Sequence, residues 1–164
     1  MLKIDDLGLS HTYSENDRAE PGMLTVHEAG ELIRRAGLEL GLIPKPEHQV
    51  HSDITKTGKR YIDWIWFDEK SNSKVAAFEI EGANCRQEPV EKDLDSLGNI
   101  ECPFKIVFLY QARRNFTLPR SGFMEKNIDR LNRGNIRIEY DVDMMNGEMD
   151  DLISEVAKKL KITR

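Results

Sequence analysis

Hydrophobic positions along this chain recur with two different periods, and each period predicts a different kind of element. Val26, Ala29, Ile33, Ala36 and Leu40 return every three or four residues, the spacing of one helix face. That helix is predicted to start at Thr25, where Thr25-Val26-His27-Glu28 has the form of a capping box, and to stop at Gly41. Pro44 and Pro46 predict a break, and residues 49–54 a weak strand. Two short runs follow, Tyr61-Ile62-Asp63-Trp64-Ile65-Trp66-Phe67 and Val75-Ala76-Ala77-Phe78-Glu79-Ile80-Glu81. Both are rich in β-branched and aromatic residues and flank a polar turn, so they predict antiparallel neighbouring strands. Residues 89–97 predict a short helix, with Pro89 in its first turn and Gly98 at its end. A strand over 104–110, a helix near 121–132, a strand over 135–140 and a last helix over 148–160 complete the reading. The order predicts an α/β protein with a mixed central sheet. Residues 1–22 read as an irregular segment, and 23–164 as one domain.

Composition narrows the class. With 39% hydrophobic and 32% charged residues, the chain has the make-up of an ordinary globular domain. No apolar run approaches membrane-spanning length, and the N-terminus lacks the basic and apolar regions of a signal peptide, so a cytoplasmic protein without a membrane partner is expected. Cys85 and Cys102 have no C-x-x-C spacing and are expected to be reduced thiols. A net charge of −5 argues against a protein that grips nucleic acid over its whole surface. The charge is uneven, however. Arg113, Arg114, Arg120, Lys126, Arg130, Arg133 and Arg137 make residues 112–137 basic, while 138–157 are acidic with no basic residue. Such a stripe suits phosphate binding, and it equally suits a solvated helix face.

The candidate chemistry lies in the two central strands. Side chains alternate along a strand, so Glu79 and Glu81 are expected on one face, with Val75 and Ala77; Asp63 is expected to share a face with Ile65 and Phe67. Carboxylates that continue an apolar face are costly unless compensated, and a divalent cation compensates a cluster of three. Trp64 and Trp66 are expected on the opposite face, in the core. The spacing of His48 and His51 does not put both on one face of a strand. Residues 141–147 fail as a calcium loop because Met145 falls on a ligand position. Glu28 is explained by its capping role.

An acid on the second strand, in Ile62-Asp63, and an E-x-acid pair on the third, in Phe78-Glu79-Ile80-Glu81, resemble the PD-(D/E)xK nuclease superfamily of restriction-endonuclease-like proteins. The resemblance covers about residues 25–110. It implies an αβββαβ core, here followed by a C-terminal α-β-α extension. It also implies a metal-dependent hydrolase acting on DNA, with Asp63, Glu79 and the Ile80 carbonyl as ligands for Mg2+ or Mn2+. Asp63, Glu79 and Glu81 would be the catalytic set. Two positions depart from the pattern. Ile62 stands where a proline is usual, and Glu81 replaces the usual lysine, which helps hold the attacking water and neutralises developing charge. Glu81 would accept a proton or serve as a further ligand, and Lys92 is a candidate for a displaced lysine or simply a surface residue. Arg86 and Gln87, just past the third strand, and Arg113, Arg114, Arg120, Arg130 and Arg133 are the candidate DNA contacts, with a homodimer or partner subunit supplying further grip. The alternative reading is a catalytically decayed module on the same fold that binds nucleic acid or a partner protein.

Overall fold

The computed structural model describes residues 26–52, 55–81, 87–109 and 120–140, together with positions 154, 158 and 159. Along the chain the elements are α1 (Val26–Glu39), β1 (Ile43–His51), β2 (Lys59–Phe67), β3 (Lys74–Glu81), α2 (Gln87–Gly98), β4 (Phe104–Leu109), α3 (Arg120–Gly134) and β5 (Ile136–Tyr140). The five strands form one sheet in the order β1-β2-β3-β4-β5. β1, β2 and β3 are antiparallel neighbours, whereas β4 runs parallel to β3 and β5 parallel to β4. Each parallel step needs a crossover, and α2 and α3 supply the two.

Helices cover both faces. On one, Ala29, Leu32, Ile33 and Ala36 of α1 pack against Trp66, Ala76, Phe78, Ile106 and Phe108. The small residues of α1 let two indoles lie against its backbone. A Cβ on Gly37 would sit 2.6 Å from Trp66 Nε1, and one on Gly30 2.8 Å from Trp64 Nε1. Trp66 Nε1 instead donates to the Ile33 carbonyl at 2.9 Å, which satisfies its buried polar atom. On the other face, Val90, Leu94 and Leu97 of α2 and Leu131 of α3 close over Ile62, Ile65, Ala77, Val107 and Ile136. Trp66 is a core residue, as its spacing predicts, and Trp64 is half-buried against the same core.

Three expectations are corrected. Pro44 and Pro46 do not break the chain; β1 runs through them, pairing Pro44 with Trp66 and Pro46 with Trp64. β1 is the edge of the sheet, where a missing N–H can face outward without costing a ladder bond. The strand therefore starts at Ile43, six residues before the expected Gln49. Val75 does not share the face of Ala77, because the β2–β3 register shifts between Trp66 and Phe67 and Val75 joins Ala76 on the α1 side. Asp63 does not simply share the face of Ile65 and Phe67, for the reason given below. The expected last helix falls mostly outside the described residues, although positions 154, 158 and 159 are helical. Residues 1–22 also lie outside them. Among the described residues, no helix is long and apolar enough to cross a membrane.

Candidate active site

β2 and β3 part company in the middle of the sheet. Their pairing ends at Trp64↔Phe78. Beyond that point the front half of β2 stays with β1, from Ile62↔His48 to Lys59↔His51, while the end of β3 stays with β4 through Glu79, Ile80 and Glu81. Asp63 and Glu79 are the residues at the split. On the other flank of Asp63, the β1–β2 pairing passes over Glu47, whose φ of 51° is left-handed and interrupts the extended backbone. Ile62 packs on the α2 side and Trp64 on the α1 side, although residues two apart on a regular strand share a face. The alternation thus changes phase at Asp63, and its side chain reaches sideways across the split.

Two hydrogen bonds replace the missing ladder there. Asp63 Oδ2 accepts from the Ile80 N–H at 2.8 Å, and Glu79 Oε2 accepts from the Asp63 N–H at 3.3 Å. In a strand the N–H and C=O of one residue point the same way, so the Ile80 carbonyl opens into the same split. Asp63, Glu79 and the Ile80 main chain are therefore brought together by strand divergence.

α2 closes the split from one side and adds a further acid. Asp93 is 4% exposed and Glu79 only 2%. Glu81 lies beside Asp93 at the half-buried end of β3. Arg60, on the front half of β2, places Nη2 at 3.0 Å from Asp93 Oδ1 and donates from Nε to Ser96 Oγ at 3.1 Å. Ser96 in turn donates to the Lys92 carbonyl at 3.1 Å. Nearby on the same helix, Asp95 Oδ2 accepts from the buried Ser52 hydroxyl at 2.8 Å. Around the split gather the carboxyl groups of Asp63, Glu79, Glu81 and Asp93, and the Arg60 guanidinium acts on Asp63 and Asp93.

Burial, with that crowding, sets the protonation of Glu79, Asp93 and Asp63. Burial, then the nearby charges of Asp93 and Asp63, hold Glu79 well above the ordinary glutamate value. Asp93 is raised by burial and by Glu81, against the opposing pull of Arg60. Asp63 is raised by burial, with the Ile80 N–H working in the other direction. Glu79 Oε1 and Asp93 Oδ2 are buried without a hydrogen-bond partner. Such atoms cost free energy until something meets them.

The sequence did not point to Arg60 or Asp93. A signal for Asp93 was present, since it follows Val90 by three residues and precedes Leu97 by four, which puts it on the buried face of α2. Arg60 carried no signal, because nothing in sequence pairs it with a residue 33 positions away. Of the expected DNA contacts, the two with described side chains, Arg130 and Arg133, do not line this site. Arg86, Arg113 and Arg114 fall outside the described residues, and Gln87 and Arg120 only open α2 and α3. Arg130 Nη1 donates to the Glu91 carbonyl at 3.5 Å and Arg133 Nε to the Asp129 carbonyl at 3.3 Å, both on the exposed surface of α3. His48 lies edge-on to Phe67, with ring centroids 5.7 Å apart, and His51 is exposed.

Among the described residues, no group of three or more His, Cys, Asp or Glu side chains is arranged to hold a metal ion. In this state Oδ2 of Asp63 and Oε2 of Glu79 are engaged with backbone N–H groups. The donor chemistry nevertheless fits a hard divalent cation: all-oxygen ligands, a carbonyl beside two carboxylates, and a buried Glu79 oxygen that lacks a hydrogen-bond partner. No protein-family model, curated protein or solved structure matches this chain.

Proposed function

We propose that this chain is a metal-dependent phosphodiesterase acting on DNA, built on the PD-(D/E)xK plan, with Asp63, Glu79 and the Ile80 carbonyl as ligands for Mg2+ or Mn2+. One observation carries the reading: β2 and β3 diverge at Asp63 and Glu79, and the split buries a carboxylate oxygen with nothing to meet it. The order α1, three antiparallel strands, α2 and a parallel β4 also agrees with the αβββαβ core of that superfamily.

When bound, the cation would polarise a phosphoryl oxygen and make an attacking water more acidic. The remaining work falls to the chain. Asp63 is held in place by the Ile80 N–H, so its geometry does not depend on a flexible rotamer. Glu79 is nearly sealed from water, which strengthens every interaction it makes. Glu81, at the half-buried mouth, accepts a proton as the water oxygen bonds to phosphorus. One P–O ester bond breaks, its electron pair stays on the leaving oxygen, and that oxygen is protonated from solvent. Net acidity suggests that a homodimer or partner subunit completes the grip on DNA.

Purified protein should nick or linearise plasmid DNA in Mn2+ or Mg2+, and Asp63→Ala should not. A second reading, a nuclease-like module that binds nucleic acid or a partner without cutting it, is favoured by Glu81 at the lysine position and by the absence of a preformed metal cage among the described residues. Wild-type protein inert on every DNA form with both metals would overturn the first reading and favour the second.

A further inference from the structure

A phosphodiester entering the split would meet a wall of carboxyl groups. Asp63, Glu79, Glu81 and Asp93 line it, and Glu81 occupies the position where a lysine would have supplied positive charge. Attack of water on phosphorus then adds negative charge to the non-bridging oxygens, so some group on this chain has to offset it. Arg60 is the described cation that stands among these carboxylates. Its guanidinium is anchored twice, to Asp93 Oδ1 at 3.0 Å and to Ser96 Oγ at 3.1 Å. Those bonds use two of its five N–H donors, leaving three for another acceptor. Its side chain keeps 25% of its surface exposed while Asp93 keeps 6%, so the anchor is buried and the cation is reachable.

We propose that Arg60 is the residue that contacts the scissile phosphate and supplies the positive charge missing at Glu81, with Asp93 and Ser96 as its positioning residues. This inference rests on the phosphodiesterase reading. Three other places in the molecule are weaker. Lys105 is buried beside Glu101, which already offsets its charge, Cys102 is a lone thiol among the described residues, and nothing in the structure shows what would cover the exposed Leu38, Ile43 and Tyr61.

The test compares wild type, Asp63→Ala, Arg60→Met and Arg60→Lys in Mn2+-dependent cleavage of linear duplex DNA. Melting temperature and Mn2+ affinity are measured for each. Arg60→Met should lose at least about 100-fold in kcat, the cost of removing one pre-aimed donor, with KM moved much less. Arg60→Lys should recover part of that loss, because it restores charge without the planar fork. Neither change should move Mn2+ affinity more than a few-fold. If Arg60→Met does not fold, Arg60→Lys decides alone: a kcat lowered roughly tenfold at an unchanged melting temperature supports the contact, and a wild-type kcat overturns it. Cleavage that dies with Asp63→Ala but survives Arg60→Met within twofold overturns the role of Arg60 and leaves the phosphodiesterase reading standing. A wild type without activity removes both. Equal losses in both Arg60 variants, with lower melting temperature and lost Mn2+ binding, identify Arg60 as a structural strut and also overturn the proposal.

Discussion

At the scale of single residues, burial and mutual repulsion hold Glu79 and Asp93 away from their ordinary charge state, and this has a measurable sign. Glu79 and Asp93 have folded-state values raised above those of the unfolded chain. A raised acid stabilises the fold fully below its ordinary value, 4.5 for the glutamate, and that contribution is lost as pH rises through the folded value. In EDTA, then, the protein should melt higher near pH 5.5 than near pH 8, until ordinary acid denaturation takes over. Each pKa unit of upward displacement is worth ~1.4 kcal/mol, about 3–6 °C for a chain of this size. Glu79→Gln should flatten that slope and raise the metal-free melting temperature at pH 8, while weakening Mn2+ binding. A metal-free wild type that is more stable at pH 8 than at pH 5.5 would contradict this account. Cys102 offers a simpler case. Burial pushes its thiol up to about 11 from 9.0, and its Sγ donates to the Phe104 carbonyl at 3.4 Å. Such a rise means about a hundredfold less thiolate at pH 8, so iodoacetamide should modify Cys102 far more slowly than an exposed cysteine. Peptide mass spectrometry over a time course would measure it, and labelling at the rate of free cysteine would refute it.

At the scale of elements, backbone proximity and polar geometry decide what the hydrophobic pattern leaves open. Gly37 and Gly98 both sit in helices, yet they should respond oppositely to alanine. At Gly37 the new Cβ meets the Trp66 indole at 2.6 Å, an overpacking that costs about 1–3 kcal/mol. At Gly98 nothing lies within 4 Å, so alanine should be neutral or should stabilise by roughly 0.5–1 kcal/mol through helix propensity. Urea denaturation of the two variants checks the pair, and a harmless Gly37→Ala would mean that Trp66 has room to move. Much of the fold was legible because its periods are strong: the α1 face, β2, β3 and β4 all lie within two residues of their expected bounds. β1 was misread because proline interrupts a strand ladder except at an edge, and edge position is a property of the sheet, not of the segment. Half of the site was legible for a similar reason. Asp63, Glu79 and Glu81 interrupt apolar strands and so announce themselves, whereas the split between those strands depends on the left-handed Glu47 and on which neighbour each strand keeps. Arg60 and Asp93 become partners only when α2 folds over β2.

At the scale of the whole molecule, the proposed DNA substrate has to be reconciled with the acidic total and the basic helix α3. α2 packs over β2 and β3, and α3 lies beyond it against β5, so Arg130 and Arg133 sit on the same side of the sheet as the carboxylate cluster but one helix away. Residues in that position would grip DNA backbone flanking the reacting phosphate and would not touch the reacting group. Binding and chemistry should therefore separate. Replacing Arg130 and Arg133 together by alanine should weaken DNA binding and flatten its salt dependence by about 0.9 in log–log slope for each phosphate no longer neutralised. The rate of cleavage at saturating DNA should change little, since neither side chain reaches Asp63 or Glu79. Fluorescence anisotropy in Ca2+ across a salt series measures the slope, and single-turnover cleavage in Mn2+ measures the chemistry. A slope untouched by the double substitution would show α3 to be a solvated face. A collapsed single-turnover rate with an unchanged slope would place these arginines at the reacting phosphate, where the packing of α2 between them and the split leaves no path.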